Sequence, residues 1–205
     1  LVYLKLALRP VMRVLDIGCG WGSFARHAAQ HFGVDVVGVT ISAEQAVLAR
    51  ELCAGLPVDI RLQDYRDVEA ERRYDRIVSL GMFEHVGRKN YRAYMAAARR
   101  LLSPDGLFLL HTIGRNDRGA GIDPWVTRHI FPNSEIPSLA RLVGALDRQF
   151  VIEDLHNFGA DYARTLVAWR DNFQRAWPSF AHDMPADFYR RWTYYLDMFA
   201  GVFRA

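Results

Sequence analysis

The chain has 205 residues, 51% of them hydrophobic, which suits one large domain with a sizeable core. The net charge of +3 is mild and the arginines are scattered, so the sequence argues against nucleic-acid binding but fits an anionic membrane surface. No stretch matches a transmembrane helix, we expect no signal peptide, and the two cysteines form neither a disulfide framework nor a metal motif.

Both ends of the chain interrupt regular patterns. Leu1 opens an apolar-periodic stretch typical of the tail of a helix, and Ala205 falls inside another helical pattern. We therefore expect residues 1–205 to form a single domain that is a fragment of a longer protein.

The first predicted strand leads into a glycine-rich turn. A short apolar run predicts a buried strand over Arg13–Ile17, and an amphipathic segment predicts a helix over Ser23–Phe32. The turn between them has glycines at alternate positions, which permit φ > 0 and let a ligand approach the backbone without a Cβ in the way. These glycines are Gly18, Gly20 and Gly22.

The spacing of this turn indicates which ligand it binds. A dinucleotide fingerprint would place its third glycine at position 23, where Ser23 stands. Asp16 lies near the strand end, and its carboxylate would repel a pyrophosphate but attract a cation. The sulfonium cofactor S-adenosylmethionine is therefore the candidate, and an ordinary α/β turn remains the alternative.

The second strand is predicted over residues 35–39 and ends at Thr40. Ser42 and Gln45 form a capping box that begins a helix extending to about Cys53. A nicotinamide-dependent dehydrogenase would have an acid at the end of this strand. Thr40 in that position counts against such an enzyme.

The third strand is predicted over Val58–Leu62, and an acid and an aromatic residue follow it. Asp64 could accept a hydrogen bond from the exocyclic amine of adenine, and Tyr65 could cover a face of its ring. A polar loop with a half-buried tyrosine fits the same residues.

Further strands are predicted over Tyr74–Leu80 and 107–110, separated by a helix over 91–102 and a turn over 103–106. This alternation indicates an α/β fold with a mostly parallel sheet and helices on both faces. Ligands bind such sheets at the carboxyl ends of the strands. The candidate residues at that edge are Asp16, Gly18, Gly20, Thr40, Asp64, Glu84 and His111.

The last third of the chain is predicted to hold a long loop, a sixth strand and three helices. The loop over about 115–137, together with residues 160–205, is the expected lid and substrate region. A helix over 138–149 and a strand over 151–155 come between them. Helices are predicted over about 162–177 and 185–203, and we favour a core role for the aromatic stripe of the last helix over a substrate wall.

Three polar residues suggest chemistry. Glu84, His111 and Tyr162 supply an acid, an imidazole and a phenol, which could together bind a small anion or relay a proton. A helix-capping role for Glu84 and an ordinary strand-end role for His111 remain alternatives.

Six blocks of sequence together resemble the cyclopropane-fatty-acyl-phospholipid synthases and their relatives, the mycolic acid cyclopropane synthases. The resemblance covers the chain from about Val11. Many methyltransferases share the glycine block, whereas residues 81–87 and 156–162 are far more specific. The blocks are residues 14–22, 38–45, 61–67, 81–87, 111–114 and 156–162.

The resemblance implies a Rossmann-like class I S-adenosylmethionine-dependent methyltransferase fold. It implies that S-adenosylmethionine donates a methyl group to the cis double bond of an unsaturated acyl chain of a membrane phospholipid. The resulting carbocation loses a proton, which a bound bicarbonate takes, and closes to a cyclopropane. The resemblance also implies a cytoplasmic protein, peripheral to the inner face of the cell membrane, and allows a homodimer.

The resemblance assigns roles residue by residue. Thr40 and Gln45 replace the usual ribose-binding acid, and Asp64 and Tyr65 bracket the adenine. Together with these four, the cofactor-binding residues are Asp16, Gly18, Gly20 and Trp21. The bicarbonate-binding residues are Glu84, His111 and Tyr162, with Ile113 and Gly81 acting through their backbones.

Two departures from the family stand out. The family's bicarbonate site also draws on a cysteine before the first strand, but no cysteine precedes Cys19 here. The family's antiparallel closing strand, which would follow residues 203–205, is absent as well, so we expect a sheet that lacks it. The alternatives are a methyltransferase for a soluble small molecule and an S-adenosylmethionine-binding fragment without turnover.

Overall fold

The computed structural model describes residues 1–69, 72–115 and 123–204. These residues form two compact units. The first unit comprises the described residues of Leu1–Gly121 and Ser134–Val151, and the second comprises those of Ile122–Asn133 and Ile152–Ala205.

A five-stranded sheet forms the centre of the first unit. Its order is β3-β2-β1-β4-β5, and every pairing between neighbours is parallel, as predicted. The strands are β1 Arg13–Ile17, β2 Asp35–Thr40, β3 Val58–Leu62, β4 Tyr74–Leu80 and β5 Leu102–His111. The first four match the sequence prediction to within a residue.

Helices cover both faces of the sheet. Successive side chains of a strand point to opposite faces, and Val14 and Leu15 of β1 accordingly belong to two different buried clusters. The helices of the first unit are α1 Val2–Lys5, α2 Ser23–Phe32, α3 Ala43–Leu52, α4 Tyr91–Leu101 and α6 Leu139–Leu146, and those of the second are α5 Pro124–His129, α7 Gly159–Phe180 and α8 Phe188–Val202. No helix in the described part of the chain is long and apolar enough to span a membrane.

Strand β5 begins earlier than predicted. Leu102 pairs with Tyr74, and pairing resumes only where Leu107 meets Arg76, so residues 103–106, predicted as a turn, form an irregularity inside the strand. A Cβ on Gly106 would lie 2.6 Å from Leu102 Cγ. A larger residue at this bulge would therefore have to displace the Leu102 side chain.

The predicted sixth strand is wrong. Residues 151–155 adopt no strand, and the described sheet ends at β3 and β5. Val151 is 83% exposed and Leu155 is 68% exposed. The apolar pattern of this segment favours a strand, but a strand is stable only where a neighbouring strand satisfies its backbone groups.

The second unit has its own aromatic core. Leu166 of α7 and Leu196 of α8 are fully buried in it, and Trp192 and Phe199 pack against it. The aromatic stripe of the last helix is thus a core stripe, as favoured. Trp125 and Phe131, from the predicted lid, pack against the same core, while residues 116–122 of that lid lie outside the described ranges.

Candidate functional site

The glycine turn has the predicted backbone conformation. Gly18 has φ +81° and Gly20 has φ +54°, both in the left-handed region. A Cβ on Gly18 would come within 2.6 Å of Met82, whereas one on Gly20 would meet no described atom within 4 Å. The backbone N–H groups of Gly18 and Cys19 both donate to the Val39 carbonyl, at 2.9 and 3.0 Å, which ties the turn to β2. The open space at Gly20 is what a ligand approaching the backbone requires.

Asp16 is a buried carboxylate beside this turn. It is 2% exposed, and burial raises its pKa to about 7. Its Oδ2 atom has no hydrogen-bond partner among the described residues. Such an atom is an unused acceptor, and a cationic or N–H-bearing ligand group would satisfy it.

The structure brings Thr40 and Gln45 together. Thr40 Oγ1 donates to Gln45 Oε1 at 2.7 Å. The Gln45 backbone N–H donates to Ser42 Oγ at 3.2 Å, so Ser42 caps α3 as predicted. The predicted ribose-binding residues thus form one polar pair at the carboxyl end of β2.

Asp64 has a partner that sequence analysis did not anticipate. Its carboxylate accepts from Arg66 Nε at 2.9 Å and from Arg66 Nη2 at 2.7 Å, and these bonds lower its pKa. An adenine amine would therefore have to share this carboxylate with Arg66. Tyr65 is half-buried, with its ring edge-on to Tyr94 at 4.9 Å, and Trp21 is 49% exposed in the glycine turn.

Glu84 lies in the 3-10 turn Phe83–His85 and is buried. Its Oε1 atom accepts from the Ile113 backbone N–H at 2.7 Å. Its Oε2 atom is buried with no hydrogen-bond partner in the described part of the chain. Glu84 therefore links the ends of β4 and β5 rather than capping a helix, and it keeps one oxygen for a donor.

Strand pairing positions the neighbours of Glu84. His111 pairs with Leu80 at the carboxyl ends of β5 and β4, and the Gly81 N–H donates to the His111 carbonyl at 3.1 Å. Gly81 has φ +64°, and a Cβ there would meet no described atom within 4 Å. Four predicted anion-binding residues thus converge at adjacent strand ends.

Tyr162 lies in the second unit, in the first turn of α7. Its ring packs against Phe203, with centroids 5.0 Å apart, and against Trp169 at 6.0 Å. The five predicted anion-binding residues are therefore divided between the two units.

Glu135 is a contact of the site that sequence analysis missed. Its backbone N–H donates to the Glu84 carbonyl at 2.8 Å, and its Oε2 atom accepts from the Arg88 N–H at 3.0 Å. A single glutamate in an irregular loop carries no local pattern that would reveal this contact. Glu135 is also far from Glu84 in sequence, so only the folded chain brings the two residues into contact.

Comparison with known proteins identifies the family. The family model described as mycolic acid cyclopropane synthetase matches residues 1–205. The chain is 54% identical over 201 residues to the cyclopropane-fatty-acyl-phospholipid synthase of Escherichia coli K12, covering 98% of this chain and 52% of that protein. It is 36% identical over 204 residues to a probable fatty acid methyltransferase of Pseudomonas putida, covering 94% of this chain and 51% of that protein. The chain thus spans about half the length of these relatives.

Solved structures agree with the sequence comparison. The cyclopropane synthase MmaA2 of Mycobacterium tuberculosis superposes with a TM-score of 0.87 at 30% identity, covering 98% of this chain and 76% of that one. The mycolic acid cyclopropane synthase CmaA1, complexed with SAH and CTAB, gives a TM-score of 0.87 at 31% identity, with coverage of 98% and 76%. The predicted class I S-adenosylmethionine-dependent methyltransferase fold is confirmed, and the chain belongs to the mycolic acid cyclopropane synthetase family.

Proposed function

We propose that this protein transfers a methylene group from S-adenosylmethionine to the cis double bond of unsaturated acyl chains of membrane phospholipids, forming cyclopropane fatty acids. One observation carries the proposal. Asp16 and Glu84 lie at or just after the ends of adjacent strands, and each has a buried oxygen without a partner among the described residues. One unsatisfied carboxylate suits a cationic cofactor, and the other suits a small hydroxyl-bearing anion.

The residues around the glycine turn fit S-adenosylmethionine. Asp16 Oδ2 would accept from the cofactor's ammonium group, and the space at Gly20 would admit its methionine portion. The Thr40–Gln45 pair would hold the ribose. Asp64, Tyr65 and Trp21 would surround the adenine. The cofactor supplies an electrophilic methyl group on a sulfonium.

The residues around Glu84 fit bicarbonate. Its hydroxyl would donate to Glu84 Oε2, which lacks a donor among the described residues. His111, Tyr162 and the backbones of Gly81 and Ile113 would hold its remaining oxygens. The Ile113 and Gly81 N–H groups already donate to Glu84 Oε1 and to the His111 carbonyl, so each would hold a bicarbonate oxygen as a shared donor. Bicarbonate supplies a base small enough to enter a site shaped for hydrocarbon.

The chemistry demands a dry pocket. A neutral alkene is a weak nucleophile and must be held against the sulfonium with water excluded. A developing carbocation is stabilised by aromatic faces.

We further propose that the chain forms one catalytic domain, with its lid and substrate region at about 115–137 and 160–205. We also propose that the protein is peripheral to the inner face of the cell membrane.

A direct assay tests the proposal. The full-length protein is incubated with S-adenosylmethionine and vesicles of unsaturated phospholipid, and the lipids are analysed by mass spectrometry. We expect a gain of one CH₂ with loss of the alkene. If no product forms while calorimetry still detects S-adenosylmethionine binding, the proposal fails in favour of a soluble acceptor or a domain without turnover.

A further inference from the structure

A basic groove lies on the first unit, between the start of α4 and α6. It encloses about 420 Å³, and four of its lining side chains carry positive charge. These are Arg88, Lys89, Arg92 and Arg141. None of them is among the residues proposed above for S-adenosylmethionine or bicarbonate.

The charge of this groove is only partly compensated. Glu135 Oε1 lies 3.8 Å from both Arg88 Nε and Arg141 Nη1. Lys89 and Arg92 are exposed and form no ion pair with any described residue. Among the described residues, the groove therefore contains one carboxylate, that of Glu135, and two exposed cations, Lys89 and Arg92, that have no ion-pair partner.

Tyr91 adds a polar group to the wall of the groove. It is 3% exposed, and its hydroxyl has no hydrogen-bond partner among the described residues. Burial raises the pKa of Tyr91 to about 12, so the hydroxyl keeps its proton. Tyr91 thus contributes a buried neutral phenol to a groove whose Lys89 and Arg92 are exposed.

The groove is linked to the candidate catalytic turn. Glu135 bonds to the backbone of Arg88 through its carboxylate and to the backbone of Glu84 through its N–H. An anion bound in the groove would therefore lie next to Arg88, and Glu135 connects Arg88 to Glu84.

We propose that this groove binds the phosphate of an anionic phospholipid headgroup and docks the first unit on the membrane surface. The inference rests on the proposed function, because acyl chains of membrane phospholipids bring such phosphates to the protein. Basic residues near an anionic leaflet are attracted to it, and the attraction falls off within a Debye length. The groove is compact and is not the extended basic track with stacked aromatics that single-stranded nucleic acid requires.

Vesicle binding tests the inference. The full-length protein is sedimented with phosphatidylglycerol or phosphatidylcholine vesicles, without S-adenosylmethionine, for the wild type and the double variant K89Q/R92Q. We expect K89Q/R92Q to weaken phosphatidylglycerol binding by roughly tenfold or more. The matched control R72Q/R73Q removes the same charge from exposed positions of the first unit outside the groove, and we expect it to weaken binding less than threefold.

Three outcomes would overturn the inference. Equal losses in the two double variants would assign binding to diffuse charge. Equal binding to phosphatidylglycerol and phosphatidylcholine vesicles would show that the protein does not recognise the anionic headgroup. Groove-dependent binding of inorganic phosphate, with vesicle binding unchanged by K89Q/R92Q, would indicate a free-phosphate site.

The outcome is independent of turnover, because binding is measured without the cofactor. If K89Q/R92Q still converts detergent-dispersed lipid while losing vesicle binding, both proposals stand. If vesicle binding behaves as expected but no variant forms product, only the proposed function fails.

Discussion

Two buried carboxylates dominate the site at the scale of single residues. Asp16 and Glu84 each have one oxygen without a partner among the described residues. A buried polar atom without a hydrogen bond destabilises the folded state. A ligand that supplies the missing hydrogen-bond donor would therefore stabilise the folded protein when it binds.

The first prediction concerns the pH dependence caused by Asp16. Burial raises its pKa from 3.8 to about 7, so the folded protein binds this proton more tightly than the unfolded chain. Its stabilising contribution is complete below about pH 4 and is lost as the pH rises through about 7. We expect Asp16→Asn to raise the free energy of unfolding of the ligand-free protein above pH 7, by at most about 4 kcal/mol.

Urea denaturation of both proteins at several pH values measures this effect. The difference between variant and wild type should shrink as the pH falls from about 7 toward 4, where both carry a neutral side chain. A difference that stays constant with pH would show that Asp16 titrates normally.

The second prediction concerns Glu84. Glu84→Gln keeps an oxygen that can accept from the Ile113 N–H but removes the charge. We expect turnover to fall by about 100-fold or more, in line with the loss of general-base catalysis when the proposed bicarbonate is no longer held, while S-adenosylmethionine affinity changes less than threefold. Steady-state kinetics and calorimetry measure the two effects.

Glu51→Gln is the control for charge loss, because this exposed carboxylate lies on α3 away from the turn that holds Glu84. Equal losses of turnover and affinity in Glu84→Gln would instead place Glu84 in the cofactor site.

At the scale of elements, one turn joins helix capping to ligand binding. Ser42 accepts the Gln45 N–H at the start of α3, and the Gln45 side chain in turn accepts from Thr40 at the end of β2. The start of α3 therefore positions the polar pair proposed for the ribose. Loosening the cap should disturb both stability and binding.

The third prediction tests this coupling. Ser42→Ala removes the cap and should lower the free energy of unfolding by about 1 kcal/mol. We expect S-adenosylmethionine affinity to fall several-fold, because Gln45 loses its anchor. Ser42→Asn, which retains a capping side chain, should restore most of both losses, as thermal denaturation and calorimetry would show. An asparagine variant as impaired as the alanine variant would contradict the capping explanation.

At the scale of the whole molecule, the chain has separate cores in its two units. Leu15 is buried in the sheet core of the first unit, and Leu166 is buried among the aromatic residues of the second. Apolar packing within each core supplies local stability. The two units can therefore differ in their resistance to unfolding.

The fourth prediction is that Leu166→Ala destabilises the second unit selectively. Deleting this buried side chain should lower the free energy of opening α7 and α8 by about 2–5 kcal/mol. Hydrogen exchange should show lost protection in these helices, with protection of the sheet amides retained. Leu15→Ala is the matched control and should give the opposite pattern. Equal loss across both units would show that they unfold together.

The sequence by itself determined the parallel sheet, the glycine turn and the family. Short apolar runs and capping residues act locally, so β1 to β4, α2 and the start of α3 follow from their own residues. The left-handed glycines are equally local, since steric strain at φ > 0 depends on the residue itself. The location of Asp16 and Glu84 near the carboxyl ends of strands followed from the predicted parallel α/β sheet, because the carboxyl ends of parallel strands lie at one edge.

Only the tertiary structure decided which atoms meet. Arg66 binds Asp64, Glu135 braces the Glu84 turn, and residues 151–155 form no strand. Each outcome depends on side-chain geometry or on a partner distant in sequence, and local pattern contains neither. Each hydrogen bond or strand pair has two partners. Local sequence can identify one partner, but only the tertiary structure shows which distant group is the other.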